Sequence, residues 1–162
     1  AKYKAKSFKK MKAATRRRFI DQADSLEDFV KRSPSYDGQI HRGMTIRKDR
    51  FDEFLTDLAT GRPTATLESW SSQLDVADEF AGIKRIKGVV GPDSGFQSDR
   101  AHVMLTVKKN KYGSSITNLA NDYQHEAEVL IPSKIRYTIT DIEQTPIGDT
   151  GEMFWNVILE QI

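Results

Sequence analysis

Two glutamates, Glu126 and Glu128, are the residues whose type and spacing best suit chemistry. They stand two positions apart in the segment YQHEAEVLIP, just ahead of an apolar run. On an extended strand both side chains would point to one side, roughly 7 Å apart. Paired carboxylates beside a core strand can stabilise a developing sugar cation and accept a proton from a nucleophile, as in glycosyl transfer. Taken alone, the segment can also be a polar strand end.

Arg42, in the segment IHRGMTI, is a second candidate. It shares a strand face with Ile40 and Met44, so a cation is aimed where its neighbours are apolar. A guanidinium there can hold a phosphate or a nucleotide in a fixed fork geometry, and Gly43 lets a ligand approach the backbone closely. The alternative is an arginine in a structural salt bridge.

A serine-rich segment, LESWSSQLDVADEFAG, supplies the third candidate. Ser69 and Ser71 fall on one face of a short strand, opposite Trp70, and their hydroxyls can orient a neighbouring carboxylate. We expect Trp70 to fill the core and Ser72 to cap the helix that follows.

The elements that position these side chains follow from hydrophobic periodicity. A short helix begins at Ser25, a strand covers residues 39–44, and residues 49–60 form an amphipathic helix with an apolar face. That face consists of Phe51, Phe54, Leu55 and Leu58. Strands are predicted at 66–71, 83–90, 101–108, 127–131, 134–143 and 153–160, with one short helix at 74–81. Helices first and strands later favour an α+β fold with antiparallel pairing.

Composition excludes several classes of protein and of functional site. The 162 residues fit one domain, and the absence of cysteine excludes a disulfide framework, a thiolate zinc site and a cysteine nucleophile, in agreement with a reducing compartment. The three histidines are not at metal-ligand spacing, so no metal is indicated. Without a Gly-rich dinucleotide fingerprint, any NAD binding must be of a non-Rossmann kind. No apolar run approaches the roughly 20 residues that span a bilayer.

Positive charge is concentrated near the start of the sequence. Residues 2–18 carry nine basic residues and no acidic one, although the net charge is only +2. One interpretation is a contact with nucleic acid or another polyanion. We favour a helix with lysines in water and Phe8, Met11 and Phe19 turned inward.

In this order and spacing, the three segments resemble the arginine-serine-glutamate class of mono-ADP-ribosyltransferases in its Glu-x-Glu form, a group that includes bacterial toxins and phage proteins. The resemblance covers residues 40–132. It implies two roughly perpendicular antiparallel sheets with NAD in the cleft between them. It also implies one domain over residues 1–162, with a helical lead-in at 1–38 and an NAD-binding catalytic core at 39–162.

The resemblance also implies a role for each matching residue. Arg42 would contact the phosphates and ribose of NAD, Ser69 would position the catalytic glutamate, and Glu128 would favour loss of nicotinamide. Glu126 would engage the acceptor, and Tyr123 would touch the target protein. Further candidates for NAD contacts are Gly43, Ser71, Arg85, Phe96 and Arg100. Two departures are the sequence Ser-Trp-Ser and His41, which stands where an aromatic residue is usual.

The implied activity is transfer of ADP-ribose from NAD to a protein side chain, arginine above all, with release of nicotinamide. The partners would be NAD and a target protein with an acceptor arginine, and the site of action a reducing cytoplasm reached by phage delivery or as a toxin. Two alternatives stay open. One is an NAD glycohydrolase, and the other is an inactive relative that binds nucleic acid or serves in assembly.

Overall fold

The structure is a computed structural model that describes residues 24–115 and 127–162. Within the described residues, helix α1 covers 24–32, where the sequence predicts a short helix from Ser25. Outside the described residues lie the three apolar side chains predicted to turn inward, Phe8, Met11 and Phe19.

The next elements follow the predicted periodicity closely. Strand β1 spans Ile40–Arg47, a single 3-10 turn covers Lys48–Arg50, and helix α2 spans Phe51–Ala59. Phe51 is buried, and the other residues of the predicted apolar face pack against the same cluster. The amphipathic pattern therefore identifies both the helix and the side it buries.

Strands dominate the rest of the described chain, with one short helix among them. In order they are β2 Glu68–Ser71, helix α3 Leu74–Phe80, β3 Ile83–Ile86, β4 Val89–Pro92, β5 Arg100–Val107, β6 Ser114–Ser115, β7 Glu128–Ile131, β8 Tyr137–Pro146 and β9 Met153–Gln161. The single strand predicted over residues 83–90 is wrong. Lys87 and Gly88 both have positive φ, 51° and 81°, and they reverse the chain into a β3–β4 hairpin.

The main sheet has seven strands in the order β6-β7-β2-β1-β5-β9-β8, and β3 and β4 form a separate small sheet. The α+β class is confirmed. The pairing differs from the expectation at one place, because β5 and β9 run parallel. β9 inserts between β8 and β5, antiparallel to β8 and parallel to β5.

Both faces of the sheet are covered by apolar clusters. Along β5, Val103 and Leu105 belong to one cluster, with α2 packed on it. Met104 points the other way into a second cluster that includes Ala77 of α3 and Ile83 of β3. No helix in the part of the chain that the structure describes is long and apolar enough to cross a bilayer.

The start of α3 differs from the expected capping. Its N-cap residue is Gln73, and no side chain caps it. Ser72 instead donates its hydroxyl to the carbonyl oxygen of Ala127, at 3.2 Å, and Ser71 Oγ accepts from the Gln73 amide at 3.1 Å. The predicted Ser72 cap is therefore wrong, because the hydroxyl ties β2 to the start of β7. Gly82, at φ 74°, follows the last turn of the helix in the left-handed conformation that glycine favours.

Candidate active site

A cleft opens where β1 and β2 part. The two strands are paired at one position, His41 opposite Ser71, and they diverge beyond it. The wedge between them holds a cavity of about 440 Å³. Its lining includes Arg42, Gly43, Ser69, Phe80 and Glu128. The structure thus brings to one cleft the three residues that the sequence singles out on separate segments, Arg42, Ser69 and Glu128.

One row of polar residues crosses four neighbouring strands. Thr106 on β5 lies opposite His41, His41 lies opposite Ser71, and Ser71 lies opposite Glu128 on β7. Directly paired residues share a sheet face, so all four side chains lie on the same side. Ser71 is therefore the serine placed across from Glu128, whereas the exposed Ser69 lies across from Leu130.

Arg42 points to the other face of β1 and forms an ion pair. Its Nη1 donates to Oε2 of Glu68 at 2.6 Å, with the Arg42 side chain 37% exposed and that of Glu68 20% exposed. Of the two interpretations of Arg42 given by the sequence, the structure shows the salt bridge. A guanidinium has five N–H donors, so the same side chain can hold Glu68 and still donate to a bound anion.

Glu68 is itself held by a buried aromatic pair. Tyr137 Oη lies 3.5 Å from Glu68 Oε1, and the Tyr137 ring stacks on Trp70 with centroids 5.9 Å apart. Burial raises the pKa of Tyr137, and the charge of Glu68 raises it further, so the phenol stays protonated and can donate. Trp70 is 3% exposed, as predicted for a core residue. Packing beneath the cleft thus fixes the carboxylate that orients Arg42.

His41 is buried and neutral. It is 7% exposed, and its Nδ1 lies 3.1 Å from Thr106 Oγ1. Burial lowers the pKa of His41, and the nearby charge of Arg85 lowers it further. The imidazole therefore enters the site as a hydrogen-bonding group without charge at neutral pH.

Gly43 lines the cleft, but helix packing explains its missing side chain. A Cβ at this position would overlap with the carbonyl oxygen of Ala77 and crowd the amide of Ala81. From the sequence we expect Gly43 to let a ligand come close to the backbone. In the structure, α3 packs against that side of β1 instead. Its contact with NAD stays a prediction.

Sequence reasoning missed Phe80 and Glu68. Phe80, at the end of α3, lines the cleft with 55% of its surface exposed. An aromatic ring in the last turn of a short helix, just before a helix-ending glycine, was the available signal. For Glu68 the signal was an acidic residue on the same strand face as the core residue Trp70.

Two predicted NAD contacts lie away from the cleft. The Phe96 ring stacks on His102 with centroids 4.8 Å apart and packs against the second apolar cluster. Arg100 begins β5 opposite Arg47, five residues from the partner of Arg42, or about 17 Å along the strand. Neither lines the cleft in this structure, and their contact with NAD stays a prediction.

Two predicted acceptor-binding residues, Tyr123 and Glu126, lie outside the described residues. Ala127, between the two glutamates, has φ 44° and precedes the first residue of β7. The expected extended strand from Glu126 to Glu128 is therefore wrong, since Ala127 is in the left-handed region. The 7 Å spacing of the two carboxylates loses its basis, and the role of Glu126 stays a prediction.

Solved structures of several ADP-ribosyltransferases are similar to this fold. ADP-ribosyltransferase Vis in complex with agmatine matches with a TM-score of 0.61 and 22% identity, over 99% of this chain and 64% of the Vis chain. Vis is a toxin of Vibrio splendidus. ADP-ribosyltransferase HopU1 of Pseudomonas syringae matches with a TM-score of 0.52 and 17% identity, over 86% of this chain and 50% of HopU1.

A third match is BECa, an ADP-ribosylating toxin of a binary enterotoxin of C. perfringens, solved with NADH. Its TM-score is 0.54 at 15% identity, over 94% of this chain and 36% of BECa. The chain therefore spans less than two thirds of the length of these proteins. No protein-family model matches the sequence, and no curated protein matches it. The likeness lies in the arrangement of a main mixed sheet, a small second sheet and flanking helices, and by that arrangement the chain has the ADP-ribosyltransferase fold.

Proposed function

We propose that this chain transfers ADP-ribose from NAD to a protein side chain, an arginine, and releases nicotinamide. The observation that carries the proposal is the cleft lined by Arg42, Ser69 and Glu128 within the ADP-ribosyltransferase fold. BECa was solved with NADH, which supports a nicotinamide dinucleotide as the substrate. Vis was solved with agmatine, whose guanidino group is that of arginine, and this supports an arginine acceptor. In this proposal residues 39–162 form the catalytic core.

Glu128 is the residue we assign to activation of NAD. When the bond between the ribose C1 and the nicotinamide nitrogen breaks, its electron pair leaves with nicotinamide and the ribose becomes cationic. A carboxylate fixed beside C1 stabilises that charge. Glu128 suits this task because it is half-buried, where a charge interacts more strongly than in water, and because β2 fixes its position across from Ser71.

Arg42 and Phe80 are the residues we assign to binding. Arg42 can donate to the pyrophosphate of NAD while Glu68 keeps its guanidinium oriented. Phe80 offers an exposed flat ring at the cleft, against which the nicotinamide ring can stack. Ser69 lines the same cleft and can hydrogen-bond to the ribose or to Glu128.

The acceptor step is assigned to residues on the segment before β7. A guanidino nitrogen attacks C1, the new N–C bond forms, and the proton of the attacking nitrogen passes to a carboxylate. We assign acceptance of this proton to Glu126 and recognition of the target protein to Tyr123, because the resemblance to the Glu-x-Glu form implies these roles. The reaction needs NAD as a substrate and no metal.

The decisive experiment is incubation with labelled NAD and agmatine, following both ADP-ribosyl-agmatine and free ADP-ribose. Glu128→Gln keeps the shape of the side chain and removes its charge, so turnover should fall by roughly 10² to 10³. Glu160→Gln, an exposed carboxylate on β9, is the matched control and should leave turnover unchanged. A Glu128→Gln variant as active as the parent overturns the assignment. Free ADP-ribose without labelled agmatine makes the chain an NAD glycohydrolase instead.

A further inference from the structure

A second cavity lies on the other side of the point where β1 and β2 pair. Its volume is about 580 Å³, larger than that of the cleft. It extends over the face of the main sheet, with polar side chains from β5, β8 and β9 in its lining. His41 lines both this cavity and the cleft, so a ligand that passes from one to the other must pass the imidazole.

The hydrogen bonds of His41 fix which ring nitrogen carries the proton. Thr106 donates its hydroxyl hydrogen to Asn156 Oδ1 at 3.1 Å, so the hydroxyl oxygen is left to accept from His41 Nδ1, also at 3.1 Å. The proton of the neutral ring therefore sits on Nδ1, and Nε2 keeps a lone pair. No donor to Nε2 occurs among residues 24–115 and 127–162.

The charges around the second cavity suit a sugar-phosphate chain. Arg85, from β3, and Lys108, just after β5, supply two cations, and Glu143 of β8 supplies an acceptor for hydroxyl groups. Arg85 also forms an ion pair with Asp78 at 3.0 Å. Two strand spacings separate His41 from Glu128, about 10 Å, a distance that NAD can bridge.

We infer that His41 Nε2 accepts a hydrogen bond from a sugar hydroxyl of NAD and so holds the dinucleotide where the two cavities meet. This inference rests on the proposed use of NAD. A ribose hydroxyl is a donor that a neutral imidazole nitrogen accepts well, and Thr106 acts as a positioning residue that keeps Nε2 unprotonated.

Two substitutions of His41 test the contact by isothermal titration with NAD and with nicotinamide alone. His41→Asn can keep the bond to Thr106 but has no atom at the position of Nε2, so the Kd for NAD should rise about tenfold. His41→Gln places an amide near that position and should recover part of the loss. The affinity for nicotinamide, which has no sugar, should be the same in both variants and the parent.

The outcomes separate this inference from the proposed function. A parent that binds NAD and a His41→Asn variant that binds it equally well overturn the contact and leave the proposed function standing. A parent that does not bind NAD overturns both. If His41→Asn does not fold, the parent decides, because an Nε2 resonance of His41 that does not shift when NAD binds excludes the contact.

Nitrogen NMR of the histidine side chains provides a readout that does not depend on catalysis. His41 should show a proton on Nδ1 and an unprotonated Nε2, and the Nε2 resonance should shift when NAD is added. Thr106→Val removes the hydroxyl that holds the tautomer and should move the proton to Nε2 and weaken NAD binding. Thr140→Val, whose hydroxyl bonds to the carbonyl of Ile158, is the matched control. A proton on Nε2 in the parent overturns the inference.

Discussion

Arg42 and His41 are neighbours on β1 that point to opposite faces of the sheet. Arg42 is 37% exposed and meets a carboxylate at 2.6 Å, so its charge is both solvated and paired. His41 is 7% exposed and meets a hydroxyl, and burial lowers its pKa. One strand thus presents a permanent cation on one face and a neutral acceptor on the other, because Arg42 is partly in water and meets a carboxylate, whereas His41 is buried near the positive charge of Arg85.

The most severe change on the His41 face should come from Gly43→Ala. The added methyl group would overlap with the backbone of α3 at Ala77, which cannot move as a flexible side chain can. We expect the free energy of unfolding, measured with urea, to fall by about 3 kcal/mol. Gly91→Ala, with nothing within 4 Å of the new Cβ, is the control. Equal stability of the two variants would show that α3 is not packed tightly on this face.

On the opposite face, Arg42→Lys tests the geometry of the cation and not its charge. The ammonium group loses the planar fork, so the Kd for NAD should rise about tenfold to a hundredfold. The free energy of unfolding should change by less than about 1 kcal/mol, because the ion pair is partly exposed. Arg47, the last residue of β1, forms an exposed ion pair with Asp49 of the following 3-10 turn, and Arg47→Lys should leave the Kd unaltered. Equal Kd values for both variants would remove Arg42 from the binding site.

Phe80→Ala probes the part of α3 that borders the cleft. Because the ring is 55% exposed, the unfolding free energy should change by less than about 0.5 kcal/mol. The KM for NAD should nevertheless rise about fivefold through loss of stacking. Ile86→Ala, equally exposed on the β3–β4 hairpin, should alter neither quantity. If the KM for NAD is the same in Phe80→Ala as in the parent, the Phe80 ring does not contact NAD.

The smallest effect concerns the pH dependence of stability on the His41 face. The unfolded histidine, with a pKa near 6.5, takes up its proton at a higher pH than the folded one does. The contribution of His41 is therefore fully present above pH 6.5 and decreases as the pH falls toward the lower pKa of the folded state. The melting temperature of the parent should drop more steeply below pH 6.5 than that of His41→Gln. Parallel curves would mean that His41 is not held neutral.

Local patterns predicted most of the elements, and the three residues that the sequence singles out line one cleft. The apolar spacing from Phe51 to Leu58 defined α2, and Arg42, Ser69 and Glu128 line a single cleft as their resemblance to a known class implies. The first inference uses residues within two helical turns, whereas the second uses the order and spacing of three segments between residues 40 and 132. The catalytic roles themselves stay predictions.

Features that depend on distant contacts could not be read from the sequence. The ion pair of Arg42 with Glu68 requires the junction of β1 and β2, and the bond of His41 to Thr106 requires the pairing of β1 with β5. The β3–β4 hairpin was missed because Lys87 adopts a positive φ that its residue type does not indicate. Sequence periodicity identifies strands, whereas their partners are decided by the whole fold.

The position of β9 between β5 and β8 has a consequence for how the protein is made. The ribosome releases β1, β5 and β8 before residues 153–161. Until β9 is made, β5 is an open edge of the sheet, and β8 lacks β9, the one described strand with which it pairs. Open edges pair readily with other chains. The interval before β9 inserts is therefore a period of high aggregation risk, and slow translation of residues 153–161 would lengthen it.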